Sequence, residues 1–596
     1  STDQWIAAPK DPADLYTRMA YVRENHWKLT HLLNYNQTFY KHDIGMLLGF
    51  EEERFVKRTT DTAKLGLIDS SVGDSSSATT PSSIGGTGEE FTSRSYFGRI
   101  NYAFDSRYLF EVNMRYDGSS RFAPDNRWGL FPSFSAGWRI SEERFMKGLP
   151  IDNLKLRASW GKLGNNAIGN YEWQAVYNSA KYAFGGSLNN GLAITSISNN
   201  LLEWESTAIT NIGIDFATLR NRLTFEAEFY NKVTDGILYR PDMYMSLGTA
   251  SGPRQNIAEV TNRGIEMTLN WQDRIGKVEY RVSGNFAYNQ NKVSKYKGEL
   301  QRGWVTDENG NRVYQTNIGD VSTGGSTRVI EGKMINEYYM LQPYKGSGNG
   351  FNADGTVNIN GGPRDGMIRT VDDMKWLNAM VGAGYKFYPR QNVSKSGIWY
   401  GDYIYADLNG DGVYGNDADN EFQGCSNVPK YNFGLQASAN WKGFDFSMNW
   451  SGAAGFKIYY YRLALNSSAT IKGYAIGEAI ANDHYFFDPK NPNDPRTNLS
   501  SKNPRLTNNS GNDQSGMTQS SVHLQKGDYI KLKNLTIGYT LPAVLSKKVY
   551  AQNIRFFASG ENLFTITGYE GMDPEMRTAV GYSTMRQYAF GVNITF

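Results

Sequence analysis

Along much of this chain, large apolar side chains recur at every second position rather than every third or fourth. The last stretch, Arg586–Phe596, shows it most plainly. Tyr588, Phe590, Val592, Ile594 and Phe596 fall on one side, and Ala589, Gly591, Asn593 and Thr595 on the other. Strand side chains alternate faces, so this is a ribbon with one aromatic-aliphatic face and one small, polar face. In Val278–Tyr288, Val278, Tyr280, Val282, Phe286 and Tyr288 alternate with Glu279, Arg281, Ser283 and Asn285. The same period marks Trp27–Tyr40, His42–Lys57, Tyr96–Phe104, Tyr108–Tyr116, Leu130–Ile140, Leu154–Leu163, Ile209–Ala217 and Leu223–Val233. It returns at Gly264–Trp271, Tyr431–Trp441, Phe444–Trp450, Asp528–Thr540 and Ile554–Thr565. The pattern therefore predicts an all-β chain of about fifteen strands.

The connections between these strands alternate short and long. Lys41, Asp105–Arg107, Arg220–Arg222, Asp273–Gly276 and Lys442–Gly443 are tight turns. Between them stand long loops, read at about 58–90, 164–202, 293–430 and 460–527. A soluble sandwich turns every 8–12 residues or so and does not alternate in this way. A transmembrane antiparallel β-barrel does, with tight periplasmic turns on one rim and large extracellular loops on the other. The expected fold is such a barrel in a bacterial outer membrane, with lipid against its apolar face and Arg586–Phe596 as its closing strand. Trp27, Trp138, Trp441 and Trp450 are expected at the rims, as interfacial girdles. Closed bacterial barrels have an even strand number and both ends in the periplasm. An odd count therefore predicts further N-terminal strands before Ser1, making residues 1–596 the C-terminal part of a larger barrel.

Composition sharpens this reading. The chain has 62 Gly, 39 Tyr, 30 Phe and 13 Trp against 18 Pro and a single Cys. That balance suits strands and turns. Mean hydropathy is −0.54, and no apolar run is long enough for a membrane-spanning helix, which needs about 20 residues. A barrel tolerates that polarity, because only alternate strand residues meet lipid. With 62 basic and 59 acidic residues the charge is balanced, and no basic run suits a nucleic-acid backbone. Cys425 alone forms no internal disulfide.

Four stretches resemble the SusC/RagA family of TonB-dependent outer-membrane transporters. They are YFGRINYAFDSRYLFEVNMRYDGSSRFAPDNRWGLFPSFSAGWRISEERFM (Tyr96–Met146), LKLRASWGKLGNNAIGNY (Leu154–Tyr171), GDYIKLKNLTIGYTLP (Gly527–Pro542) and IRFFASGENLFTITGYEGMDPEM (Ile554–Met576). The resemblance implies a barrel of about 22 strands, with a plug and a TonB-contacting segment N-terminal to the part present here. It also implies energised import of a nutrient through the TonB complex. A SusD-like lipoprotein would cover the extracellular mouth, in a dimer of transporter–lipoprotein pairs. Oligosaccharide is the expected cargo, with peptide as the alternative. A passive porin, or a surface glycan-binding β-protein without transport, are the competing readings.

The loops carry the remaining candidate chemistry. Asp407-Leu-Asn409-Gly-Asp411-Gly412-Val413 places oxygen donors at positions 1, 3 and 5, Gly at 6 and a carbonyl at 7, as a calcium loop begins. Position 12 is Ala418 rather than Glu, flanked by Asp417 and Asp419, either of which closes the shell if the tail shifts by one. The bland alternative is a pair of Asn-Gly and Asp-Gly turns without an ion. A structural calcium ion is expected. Aromatic rings at Trp304, Trp376, Trp399, Tyr400 and Tyr485 are candidate substrate contacts, since flat rings cover sugar C–H faces; packing among the loops is the alternative for each. Five His show no metal spacing and no nucleophile context. Asp372-Asp373 is read as a solvated pair. No enzyme activity is expected.

Overall fold

The structure, a computed structural model, describes residues 15–67, 73–240, 252–296, 299–307, 310–316, 327–388, 392–460, 478–506, 519–577, 582 and 584–596. Compactness divides the chain into two units. One is Ser1–Lys147 with Lys155–Ile212 and Lys232–Glu259; the other is Gly148–Leu154 with Gly213–Asn231 and Val260–Phe596.

Among the described residues, fifteen strands form one sheet in chain order. They are β1 (Tyr16–Phe39), β2 (His42–Leu67), β3 (Ala78–Phe104), β4 (Tyr108–Ser119), β5 (Trp128–Arg139), β6 (Ile151–Asn165), β7 (Glu205–Thr218) and β8 (Leu223–Tyr239). Next come β9 (Gln255–Ile275), β10 (Val278–Lys295), β11 (Tyr431–Trp441), β12 (Phe444–Ala454), β13 (Tyr529–Thr540), β14 (Asn553–Thr567) and β15 (Gln587–Thr595). Registers are antiparallel from β1 to β6 and from β10 to β15. The strand tally and the alternation of connections follow the reading from side-chain period.

Register keeps like faces together. Phe110 on β4 lies opposite Tyr102 on β3 and Ala136 on β5, and Val112 lies opposite Ile100 and Phe134. Between them Glu111, Asn113, Arg115 and Asp117 point to the other face. There Arg115 pairs with Asp117 at 2.7 Å, and Lys28 with Glu51 at 2.9 Å. In β15, Ile594 faces Ile554, and Val592 faces Phe556. Tyr588, Phe590, Val592, Ile594 and Phe596 are all exposed, as are Trp27, Trp138 and Trp441. An exposed aromatic and aliphatic face backed by a polar, ion-paired one is the profile of a strand wall between lipid and water. Among the described residues no helix is long and apolar enough to cross a membrane.

The tight turns rest on left-handed backbone. Lys442 (φ 47) and Gly443 (φ 90) join β11 to β12, as two-residue hairpins require. A Cβ on Gly443 would sit 2.7 Å from the Thr540 carbonyl oxygen. Gly443→Val is expected to destabilise the wall by about 1–2 kcal/mol, read as a lower urea midpoint in micelles; an unchanged midpoint would refute the strain argument.

One expectation is corrected, and two of the long connections hold structure of their own. The stretch 58–90 is not mainly loop. Arg58 pairs with Gly88, Thr60 with Gly86 and Asp61 with Gly85, carrying β2 and β3 well past their predicted ends. Ladder hydrogen bonds override the low strand preference of Gly and Ser. Within 164–202, Val176–Phe184 and Ser187–Ser196 form a hairpin of their own. The 293–430 region holds folded structure too, including the hairpin Arg302–Thr306/Arg312–Thr316 and helix α1 (Val371–Gly382).

Candidate functional site

The long connections after β10 and β12 build a small fold with its own core. Trp376 is fully buried in α1, stacks on Tyr344 at 5.1 Å and donates from Nε1 to the Asn358 carbonyl at 2.8 Å. Met367, Ile368, Leu377, Met380, Ile404 and Tyr405 complete this core. Helix α1 starts with a capping box. The Asp373 amide donates to Thr370 Oγ1 at 3.1 Å, and Asp373 Oδ2 accepts from the Thr370 amide at 2.8 Å. Asp373 is therefore a cap rather than a solvated partner of Asp372, which pairs with Lys375.

Beside this core lies a cleft of about 840 Å3 between residues 395–400 and 481–506. Trp399, Tyr400, His484, Tyr485, Phe486 and Phe487 line it. Trp399 packs edge-on against Tyr400 at 5.2 Å, and Tyr400 against Phe487 at 5.0 Å. Arg496 lies over the Phe486 ring at 4.5 Å and pairs with Asp494 at 2.8 Å. Hydrogen bonds from the Arg496 side chain and amide hold the Asp494 carboxyl down at about 2. Tyr485 is buried, its hydroxyl donating to the Arg369 carbonyl. Gly401 permits that seat: its φ is +87°, and a Cβ there would stand 2.4 Å from Tyr485 Cδ1.

A buried clasp holds the two walls together. Arg505 donates from Nε to Asp402 Oδ1 at 2.8 Å and from Nη2 to Oδ2 at 2.9 Å. It also donates to the carbonyls of Lys395 and Gly397, and the Trp399 amide donates to Asp402 Oδ2. Burial pushes the Asp402 carboxyl up, while Arg505 and the Trp399 amide pull against it. The fork geometry satisfies both carboxylate oxygens at once.

Of the predicted aromatic contacts, the structure gathers Trp399, Tyr400 and Tyr485 at one cleft. Trp399 is half-buried, while Tyr400 and Tyr485 are buried in its wall. Trp376 belongs to the core instead, where a ring without an exposed face packs rather than binds. Trp304 stands apart in the 302–316 hairpin, under the Arg312 guanidinium at 5.2 Å, and donates to the Asn409 carbonyl at 2.8 Å. Asp402, Arg496 and Arg505 escaped the sequence reading. Asp402 and Arg505 lie 103 residues apart, and no local spacing connects them.

The Asp407–Asp419 loop is closed by amides. Asp407 accepts from the amides of Gly410, Asp411 and Gly412, and Asp411 Oδ1 from that of Val413. Asn409 and Asn416 both donate to Asp411 Oδ2. Asp419 is buried, accepting from Leu408 and Asn409 on one oxygen and from Gly415 and Asn416 on the other. Burial, aided by Asp407, pushes its carboxyl up to about 6 against the pull of those amides. Asp417 opens the short helical turn Asp417–Asp419. Among the described residues no three His, Cys, Asp or Glu side chains gather closely enough to share an ion.

The family described as TonB dependent receptor-like, beta-barrel matches residues 3–563. This chain belongs to that family. It is an outer-membrane protein. It is 30% identical over 601 residues to the TonB-dependent receptor P39 of Formosa agariphila, covering 94% of this chain and 52% of that relative. It is 28% identical over 517 residues to the TonB-dependent receptor SusC of Bacteroides thetaiotaomicron, covering 84% of this chain and 43% of SusC. The chain thus spans about half the length of the curated relatives it matches. Among solved structures, the RagAB peptide transporter superposes with a TM-score of 0.74 at 21% identity, over 97% of this chain and 56% of that one. That likeness confirms the fold of this TonB-dependent receptor chain.

Proposed function

We propose that this chain supplies wall strands and the loop canopy of an outer-membrane importer, driven by TonB and working with a SusD-like lipoprotein, in a dimer of such pairs. The cargo is an oligosaccharide. The observation that carries this reading is the aromatic cleft in a folded loop region, attached to a two-faced strand wall. Trp399 and Phe487 offer flat apolar surface, while Arg496, His484 and Asn498 around them offer hydrogen bonds, the mixture a sugar ring uses. Remaining N-terminal strands and a plug would complete the wall, because a lumen of this class leaks unless filled.

Uptake of labelled oligosaccharides by cells carrying the full-length transporter and its lipoprotein tests this. Uptake is expected to stop when TonB is deleted; uptake that continues points to a passive pore. Trp399→Ala is expected to weaken oligosaccharide binding about tenfold, roughly 1.4 kcal/mol, without moving the melting temperature. Unchanged affinity for sugars together with displacement by peptides would shift the cargo to peptide.

We also propose that the Asp407–Asp419 loop takes calcium, with Asp407, Asn409, Asp411 and the Val413 carbonyl supplying oxygens and the ion ordering the loop. Calcium titrated into the chelator-treated protein is expected to protect this loop from proteolysis, and Asp411→Ala to abolish the effect. Identical cleavage with and without calcium would rule the site out.

A further inference from the structure

Two connections at the short-turn rim are longer than their neighbours, and each folds onto the apolar face of its strands. After β5, the helical turns Ile140–Glu142 and Arg144–Met146 follow in succession. Glu143 Oε1 between them accepts from Tyr108 Oη at 2.6 Å and from Trp138 Nε1 at 3.1 Å. Tyr108 and Trp138 are register partners on the apolar face. The turn therefore lies against the lipid side of the wall, not beneath the polar face. Phe145 is left 67% exposed.

The connection after β13 repeats the arrangement independently. Helix α2 (Ala543–Ser546) and the turn Lys547–Val549 are closed by buried Ser546, whose hydroxyl reaches the Ala543 and Gln552 carbonyls. Helix α2 packs on the start of β14. There Ile554, on the apolar face, is only 9% exposed, whereas Phe556 two residues on is 47% exposed. Val544, Leu545, Val549 and Tyr550 remain open, Tyr550 at 92%. Lys547 and Lys548 are exposed beside them, as Arg144 and Lys147 are beside Phe145. None of these four cations makes an ion pair among the described residues.

Large apolar side chains facing water on a short turn are unfavourable, and their recurrence beside unpaired cations calls for a partner. Continuity with the lipid-facing wall identifies it. Amphipathic segments with apolar residues on one side and Lys or Arg on the other seat about 5–10 Å into the headgroup boundary. Short connections of such barrels face the periplasm. We infer that 140–147 and 541–552 are interfacial feet embedded in the periplasmic leaflet. Phe145, Val544, Leu545, Val549 and Tyr550 enter the acyl boundary, and Arg144, Lys147, Lys547 and Lys548 bind phospholipid phosphates. The inference rests on the outer-membrane setting and is independent of cargo or TonB coupling.

Nitroxide labels at Phe145→Cys and Val549→Cys, in a Cys425→Ser background of the full-length protein in phosphatidylethanolamine/phosphatidylglycerol nanodiscs, test it. Both labels are expected to be shielded from a water-soluble nickel chelate and accessible to oxygen, opposite to a reference label at Asp354→Cys. Nickel accessibility equal to the reference overturns the inference. So does shielding that appears only when a periplasmic protein is added. In native mass spectrometry, Arg144→Glu/Lys147→Glu/Lys547→Glu/Lys548→Glu is expected to retain about fivefold less phosphatidylglycerol. Undiminished retention overturns the phosphate assignment.

Discussion

Arg505→Ala is expected to be the most damaging single change in the loop fold, costing about 3–5 kcal/mol. Asp402 is 1% exposed and takes both guanidinium hydrogen bonds. Removing Arg505 strands that carboxylate in a dry site and deletes the hydrogen bonds to the carbonyls of Lys395 and Gly397 as well. The charge must then be protonated or hydrated, and either opens the floor beneath Trp399. Limited proteolysis of the full-length protein is expected to show rapid cleavage around 395–402 and 478–506 while the strand wall stays intact. Asp402→Asn/Arg505→Met, which removes both charges, is expected to recover much of the loss. A single mutant as resistant as the parent would show that the clasp does not hold the cleft.

Trp376→Ala is expected to cost about 3–5 kcal/mol through the cavity it leaves. The ring fills the space between Tyr344, Phe387 and the backbone at Gly362, and its indole N–H satisfies the Asn358 carbonyl. Trp376→Phe keeps part of the volume and loses that hydrogen bond, so an intermediate loss is expected. Chemical unfolding followed by fluorescence of the loop fold reads both. The contrast with Trp399→Ala separates packing from binding. Trp376→Phe is expected to lower stability with sugar affinity retained, and Trp399→Ala the reverse. If Trp376→Phe lowers affinity and leaves stability untouched, Trp376 is a ligand contact and the packing argument fails.

The wall was legible because its instructions are local. Tyr588, Phe590, Val592, Ile594 and Phe596 declare a face by period alone, and the register with β14 keeps them there. Where composition was read instead of period, strands were missed: Thr59–Asp61 and Gly85–Thr87 look like loop but pair across β2 and β3. The loops were harder. Trp376 and Trp399 are indistinguishable as residues, yet one is core and the other lines a cleft. Asp373 looked like half of a surface carboxylate pair, although Thr370 three residues before it carries the capping signal.

Side-chain alternation and connection length were enough to place most of the strands and their two faces, because a strand's faces follow from its own residues once neighbours pair in chain order. Only the tertiary structure decided the cleft, the Asp402–Arg505 clasp and the two feet on the lipid side of the wall. Each depends on which surfaces a long connection folds back upon. That choice is made by burial and hydrogen bonding between residues far apart in the chain, and no periodicity records it.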